Sequence, residues 1–292
     1  MKFKGFLLVF SAFILSACGQ FGGAPGQENN PNLFISNGNG IIGGVPVASE
    51  DPISARTALL IDIHQGSICS TSILNDRWLL TAAHCVVTSD TSSLLVAYTG
   101  SLQDFVEGRY HEDIRTVAEI HIHPQFVVTI NKINEMANKA KEEGRDLTNE
   151  EIDSVTDWGD IAVIRINGTM PKSKTPVTLM DPKYTLNKGQ SVVLAGYGRT
   201  APGMEAPAGE LRKVSVNVAE PLWGQTEILV HNSGAGACYG DSGGPAYLYV
   251  DGQYLLFGVT SRGVGGASCE YFTVYTSAVS YAAWIGSLTG AL

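Results

Sequence analysis

Residues 240–245 read Gly240-Asp241-Ser242-Gly243-Gly244-Pro245, the most informative stretch in the chain. A serine flanked by glycines lets the backbone turn tightly and exposes the hydroxyl. The same turn directs neighbouring backbone N–H groups toward whatever the hydroxyl attacks. Because a serine alone is a poor nucleophile and needs a base, this motif predicts partner residues elsewhere. The alternative interpretation is a glycine-rich turn that contains Ser242 without using it.

Two further segments supply such partners. Thr81-Ala82-Ala83-His84-Cys85 contains a histidine, the commonest general base in enzymes. Trp158-Gly159-Asp160-Ile161-Ala162 places an aspartate at the start of an apolar strand, where its burial is costly unless an imidazole pairs with it. His121 and His123 lack a third ligand nearby, so we interpret them as strand-end residues and not as zinc ligands.

These segments resemble the motifs of the chymotrypsin/trypsin family of serine proteases, in the chain order His, Asp, Ser. The resemblance covers about residues 41–288 and implies an all-β fold of two six-stranded antiparallel β-barrels. Further matching segments are Ile41-Ile42-Gly43-Gly44, Ile122-His123-Pro124, Gly196-Tyr197-Gly198, Leu211 to Val218, and Val259-Thr260-Ser261-Arg262-Gly263.

By this resemblance the chain hydrolyses peptide bonds in polypeptide substrates through an acyl-enzyme. Ser242 attacks the scissile carbonyl, His84 acts as general base and then general acid, and Asp160 orients the imidazole. The backbone N–H groups of Gly240 and Ser242 would form the oxyanion hole. The mechanism needs no metal and no organic cofactor.

The specificity pocket departs from the family members that cleave after Lys or Arg. The position at its base, six residues before the nucleophile, is Gly236, with Ala237 beside it. Neither residue can neutralise a buried cation, so the sequence predicts a medium apolar side chain before the cut. Phe or Tyr is the alternative if Thr273 does not narrow the pocket, and Arg262 near the entrance leaves an acidic preference open. The residues expected to bind substrate are Gly236, Ala237, Ser261, Arg262, Gly263 and Thr273.

The resemblance also implies a zymogen. An activating protease, not identified by the sequence, would cut between Gly40 and Ile41, and the new α-amine would pair with Asp241. A buried carboxylate without that cation is unfavourable, so we expect the uncut pocket to be poorly formed. Gly40 indicates that the activator is not trypsin-like.

The cysteines indicate an exported protein. There are five, and if Cys18 carries lipid, four remain for two disulfides with three possible connectivities. The residue pattern alone does not choose among the three. The family resemblance selects Cys69–Cys85 and Cys238–Cys269.

The N-terminus predicts the anchor. Lys2 and Lys4 precede an apolar run too short to span a bilayer, and Leu15-Ser16-Ala17-Cys18 resembles the lipobox of bacterial lipoproteins. We therefore predict a signal peptide at 1–17, a lipid-anchored tether with the activation segment at 18–40, and the protease domain at 41–292. The protein would lie in the bacterial cell envelope until activation releases it. An ordinary leader near a chance cysteine is the alternative.

Short alternating or β-branched runs with turn residues between them also predict a barrel or a sandwich. Residues 128–156 break this pattern as a helical insertion, with a capping box at Thr148 and Glu151, and Tyr281 to Ile285 predict a short terminal helix. The insertion is either a solvated helix or a lid over the substrate cleft.

The net charge of −9 argues against a nucleic-acid partner.

Two other functions compete with proteolysis. A catalytically silent scaffold is disfavoured because all three motifs are present. A serine esterase of another fold is disfavoured because it needs the order Ser, Asp, His.

Overall fold

A computed structural model describes residues 19–20, 41–109, 111–203, 205–232, 234–265 and 269–290. The predicted signal peptide, Cys18 and Gly40 lie outside these residues. Within the described ranges the strands are β1 Gly19–Gln20, β2 Val45–Pro46, β3 Thr57–Asp62, β4 Ser67–Ile73, β5 Trp78–Thr81, β6 Leu94–Ala97, β7 Ile114–Ile122, β8 Ala162–Ile166, β9 Thr178–Leu179, β10 Ser191–Gly196, β11 Arg212–Trp223, β12 Glu227–His231, β13 Pro245–Val250, β14 Gln253–Val264 and β15 Phe272–Ser277. The helices are α1 Pro52–Arg56, α2 Leu102–Val106, α3 Pro124–Glu142, α4 Asn149–Asp153 and α5 Ala282–Thr289, with 3-10 turns at Ala83–Cys85 and His111–Asp113.

The first barrel consists of β3 to β8, in the order β4-β3-β6-β7-β8-β5, and it closes where β4 pairs with β5. Every residue of β3 is buried, because both faces of this strand are covered. Ala58 and Leu60 point into the barrel core, while Leu59 and Ile61 pack in a cluster with Tyr197, which follows the first strand of the second barrel. The two barrels therefore share apolar contacts across β3.

The second barrel consists of β10 to β15, in the order β10-β13-β14-β15-β12-β11, and it closes where β10 pairs with β11. The short strands β1, β2 and β9 extend these sheets, with β1 paired to β4, β2 to β11 and β9 to β14. The structure thus confirms the predicted pair of six-stranded antiparallel barrels.

The helical insertion and the terminal helix are both present. Helix α3 begins at Pro124, earlier than the sequence predicts, because His123 caps it by accepting a hydrogen bond from the N–H of Gln125 over 3.2 Å. Helix α4 has the predicted capping box between Thr148 and Glu151. Helix α5 buries Ile285 in the core of the first barrel. No helix in the described ranges has the length and apolar character that a bilayer crossing requires.

Candidate active site

His84 and Asp160 meet where the two barrels join. His84 lies in the 3-10 turn after β5, and Asp160 lies just before β8, which pairs with β5. The two carboxylate oxygens hold the histidine twice: Oδ1 accepts from the backbone N–H of His84 over 2.9 Å, and Oδ2 contacts Nδ1 over 2.7 Å. Because an ionised carboxylate can only accept, Nδ1 carries the hydrogen. The other ring nitrogen, Nε2, is then the one able to take up a proton.

Asp160 stays ionised although only 1% of it is exposed. Burial opposes the charge, but the neighbouring His84 and the hydrogen bonds that the carboxylate accepts hold its pKa below the usual value. One of these bonds comes from Ser261, whose hydroxyl donates to Oδ2 over 2.6 Å. Ser261, predicted to pair with substrate, therefore also supports the carboxylate.

Ser242 lies in the turn that leads into β13 and is 4% exposed. Its carbonyl accepts from the backbone N–H of Ser70 over 2.8 Å, and the Ser70 hydroxyl donates to the carbonyl of Gly240 over 3.0 Å. Ser70 follows Cys69, which is joined by a disulfide to Cys85, the neighbour of His84. Strand β4 therefore holds both the serine turn and the histidine turn.

The glycines around Ser242 are required by close packing. Gly243 has a φ of +78°, and a Cβ there would lie 2.1 Å from Thr81 Oγ1 and 2.4 Å from the carbonyl oxygen of Ser70. Gly240 has a φ of +95°, and a Cβ there would lie 2.9 Å from the Cα of Gly198. Any side chain at Gly243 would push the serine turn away from the segment that leads to His84.

Comparison with known proteins identifies the family of the chain. The sequence model of the family described as Trypsin matches residues 41–285. The chain belongs to the trypsin family. It is a serine endopeptidase, and the relatives that it resembles include proteins named as trypsins and tryptase. Trypsin delta of Drosophila erecta is 29% identical over 74% of this chain and 77% of its own length, and tryptase of Mus musculus is 26% identical over 77% and 79%. Ovochymase-2 of Mus musculus is 27% identical over 85% of this chain, which spans only 38% of that relative.

The protease contains the two disulfides that the family resemblance implies, Cys69–Cys85 and Cys238–Cys269. Within the described residues one cluster has the side-chain types of a metal site, namely Cys69, His84 and Cys85. Both sulfurs are consumed in a disulfide, so they offer no thiolate, and His84 is held by Asp160. This cluster does not have the donor set of a metal centre.

Arg262 does not present a free charge at the pocket entrance. Its guanidinium makes a two-pronged ion pair with the carboxylate of Glu227, at 2.7 and 2.9 Å. Glu227 is fully buried and also accepts from the backbone N–H of Trp158 over 3.0 Å, while the guanidinium stacks 4.3 Å from the Trp158 ring. Because Glu227 neutralises this cation, Arg262 gives no support to the acidic preference left open by the sequence.

The remaining predicted pocket residues lie together. Gly263 and Thr273 are cross-strand partners in β14 and β15. Ala237 is buried in the core of the second barrel, and Gly236 pairs with Ile42 through two backbone hydrogen bonds of 3.0 Å.

Two of the predicted activation residues, Ile41 and Asp241, are buried. Ile41 is 1% exposed and packs in the same core cluster as Ala237. The Asp241 carboxylate accepts from the N–H groups of Gly198 and Cys238, each over 2.8 Å. No cation pairs with it among the described residues, and burial raises its pKa to about 7. Asp241 is therefore a buried acid without a counter-charge in the described part of the chain, and the poorly formed pocket of the uncut chain stays a prediction, because Gly40 lies outside that part.

The insertion packs as a small unit of its own beside β14. Its apolar cluster contains Ile133, Ala137, Ala140, Leu147 and Val155. One hydrogen bond fastens it to β14 and one to the residue after β14: Arg262 donates to the carbonyl of Val155 over 3.3 Å, and the N–H of Gly265 donates to Asp153 Oδ2 over 2.9 Å. This position adjoins the strand segment that the family resemblance assigns to substrate pairing.

Three supporting residues were missed by the sequence analysis. Ser70 braces the serine turn, Glu227 neutralises Arg262, and Asn232 lies against Gly236, where a Cβ would come within 2.1 Å of Asn232 Oδ1. None of them belongs to a recognisable motif, because each acts through contacts far away in the sequence. For Glu227 a weak signal existed, since an acidic residue that opens an apolar strand needs a partner, as Asp160 does.

Proposed function

We propose that this protease cleaves polypeptides with Ser242 as nucleophile, His84 as general base and Asp160 as the orienting carboxylate. The observation that carries the proposal is the double grip of Asp160 on His84, at 2.9 Å to the backbone N–H and 2.7 Å to Nδ1. This grip fixes the ring and its tautomer, so Nε2 can accept the Ser242 proton and later return it to the leaving amine.

The oxyanion formed by the attack would be held by the backbone N–H groups of Gly240 and Ser242. Backbone hydrogen bonds on either side of Ser242 fix the turn: the N–H of Asp241 donates to the carbonyl of Cys238 over 3.0 Å, and the N–H of Gly243 donates to the carbonyl of Thr260 over 2.8 Å. The Gly240 N–H shares its peptide unit with the carbonyl of Tyr239, which accepts from the backbone N–H of Arg199 over 2.8 Å. Preorganised donors of this kind lower the barrier without reorganising during the reaction.

Primary specificity is for an uncharged residue before the cut. Gly236, Ala237 and Thr273 predict a medium apolar side chain at this position. Glu227 neutralises Arg262 through an ion pair. The residues predicted to bind substrate therefore offer no net charge that would pair with an acidic or a basic side chain.

The protease is made as a zymogen and activated by cleavage between Gly40 and Ile41. The unpaired Asp241 supports this, because the new α-amine would supply the missing cation. Neither disulfide spans the bond, so the same cut would free domain 41–292 from its anchor. N-terminal sequencing of active material tests the proposal: an active species that begins at Cys18 contradicts it.

The chain is exported, and both disulfides fit an oxidising compartment. We assign 1–17 to a bacterial lipoprotein signal peptide, Cys18 to lipidation, and 18–40 to the tether. Metabolic labelling with a fatty acid should mark the full chain and not a Cys18→Ala variant.

Labelling by an active-site fluorophosphonate tests the catalytic assignment. The cleaved protein should be labelled, and Ser242→Ala should abolish the label, whereas Ser215→Ala, an exposed serine on β11, should retain it. A protein that cleaves nothing and takes no label is a scaffold.

A further inference from the structure

Asn232 lies directly after β12, with 1% of its surface exposed. Its backbone N–H donates to the carbonyl of Tyr271 over 2.8 Å, which ties it to the residue before β15. The position is therefore fixed by the second barrel. It lies beside the disulfide-braced segment that contains Gly236 and Ala237.

The orientation of the Asn232 carboxamide follows from its partners. Nδ2 approaches the carbonyl oxygens of Ala237 and Cys269 at 3.2 and 3.4 Å, and Thr273 Oγ1 at 2.7 Å. Carbonyl oxygens only accept, so the NH2 group must face them. The carboxamide oxygen consequently points the other way.

The Asn232 carboxamide oxygen fills the space that a side chain at Gly236, the predicted base of the pocket, would occupy. A Cβ built on Gly236 would lie 2.1 Å from Asn232 Oδ1 and 2.4 Å from its Cγ. Asn232 Oδ1 is buried and has no hydrogen-bond partner among the described residues. A buried acceptor without a donor is unfavourable, so the site gains when a ligand supplies one.

Thr273 adds the complementary group. Its Oγ1 accepts from Asn232 Nδ2, which leaves the hydroxyl hydrogen available as a donor. The floor thus offers one neutral acceptor, Asn232 Oδ1, next to one neutral donor, Thr273 Oγ1. A primary carboxamide presents the matching pair, an NH2 donor and a carbonyl acceptor.

We propose that Asn232 and Thr273 form the floor of the specificity pocket and select glutamine or asparagine before the cut. This inference rests on the proposed function and refines it, because the apolar preference derived from the sequence took no account of Asn232. A basic residue stays excluded, since neither group of the floor is charged.

Peptides that differ only at the residue before the cut test the proposal. We expect kcat/KM for Gln or Asn to exceed that for Met or Leu, their close apolar counterparts, by about tenfold or more. The Gln and Asn arms report how deep the pocket is. The proposal is wrong if peptides with Met or Leu before the cut have a kcat/KM equal to that of the Gln and Asn peptides, or if Glu or Lys is preferred.

Variants assign the effect to the floor. Asn232→Leu and Thr273→Val should each reduce the ratio of carboxamide to apolar cleavage toward one, whereas Asn217→Leu, an exposed asparagine on β11, should preserve it. Thr273→Val keeps the contacts of Asn232 with the two carbonyls, so it remains informative if Asn232→Leu does not fold. Preservation of the ratio in a folded floor variant overturns the assignment.

Fluorophosphonate labelling distinguishes a failure of the inference about Asn232 from a failure of the proposed function. A wild-type protein that takes the label but shows no carboxamide preference sinks only the inference about Asn232. A wild-type protein that has been cut before Ile41 and still takes no label contradicts the proposed function.

Discussion

The hydroxyl of Ser261 donates to Asp160 Oδ2 over 2.6 Å, on the same oxygen that contacts His84 Nδ1. Two donors therefore converge on one buried carboxylate oxygen, while Oδ1 takes the backbone N–H of His84. Strand β14 thus supports the acid of one barrel from the other barrel. If the barrels shifted relative to each other, Asp160 would lose a donor while staying buried.

Replacing Asp160 with Asn should reduce kcat by about 10⁴-fold with little change in KM. The amide has only one acceptor oxygen, so its NH2 group must face either the backbone N–H of His84 or Nδ1 of the imidazole. An NH2 group that faces Nδ1 forces the imidazole into the wrong tautomer. Steady-state kinetics on a peptide ester measure this. A loss that appears entirely in KM would assign Asp160 to binding.

Replacing Ser261 with Ala should shift the acid side of the activity and stability profiles to higher pH. The pKa of Asp160 is lower in the folded protein than in the unfolded chain. The ionised carboxylate therefore stabilises the fold above the pKa of the unfolded chain, and this stabilisation is lost as pH falls through the pKa of the folded protein. Removing one donor raises the folded pKa, and the loss then begins at higher pH. Urea unfolding between pH 3 and 6 tests this, and superimposable curves for the two proteins contradict it.

Replacing Glu227 with Gln should destabilise the protein by roughly 3–5 kcal/mol, because Arg262 would be left largely buried without its partner. The double variant Glu227→Leu with Arg262→Met should recover much of this loss. The exposed pair Lys188–Glu220 is the matched control, and Glu220→Gln should cost less than about 1 kcal/mol. Urea unfolding gives all three values. Equal costs at Glu227 and Glu220 would show that the buried pair is not important for stability.

The sequence predicted the all-β fold with its helical insertion, but strand β4 shows why some elements and contacts escape prediction. Strand β4 is buried from Ile68 to Ile73, yet it carries Ser70, Thr71 and Ser72, so it shows no apolar alternation. The hydroxyls of Ser70 and Thr71 are satisfied by the carbonyls of Gly240 and Ala58, contacts that no local pattern announces. Asn232 was missed for the same reason, because its partners Ala237, Cys269 and Thr273 are distant or unmarked in the sequence.

Gly243→Ala and Gly252→Ala separate packing from backbone strain. Both glycines have a φ of +78°, but a Cβ at Gly243 would lie 2.1 Å from Thr81 Oγ1, whereas a Cβ at Gly252 meets no atom within 4 Å. Gly252→Ala should cost about 1 kcal/mol of stability from its backbone conformation alone. Gly243→Ala should cost about 1–3 kcal/mol more and abolish labelling of Ser242. Similar costs for the two variants would show that the serine turn can yield.

Cleavage before Ile41 should change the pH dependence of stability. In the uncut chain the pKa of Asp241 is raised from 3.8 to about 7. The stability that the protonated carboxyl contributes is therefore fully present below the pKa of the unfolded chain and is lost as pH rises through about 7. In the cut chain the Ile41 ammonium would pair with the carboxylate and lower its pKa, which removes this loss. Urea unfolding of cut and uncut Ser242→Ala protein from pH 4 to 7.5 measures the difference. Parallel curves would mean that the amine does not reach Asp241.

The insertion should restrict large substrates if it acts as a lid. Its hydrogen bonds to β14 and to the residue after it come from Arg262 and Gly265, so the unit lies beside the segment expected to pair with substrate. Asp153→Ala removes the acceptor of the Gly265 N–H, and we expect it to raise the rate on a folded protein several-fold while a short peptide is cleaved as before. Glu150→Ala, an exposed position on the same helix, is the matched control. Replacing 133–147 with a short Gly-Ser linker should enlarge the effect, since this removes most of the apolar cluster but keeps Phe126 and Ile130 in the main core. If both substrates are cleaved at unchanged rates in all three variants, the insertion is a solvated helical unit with no part in access.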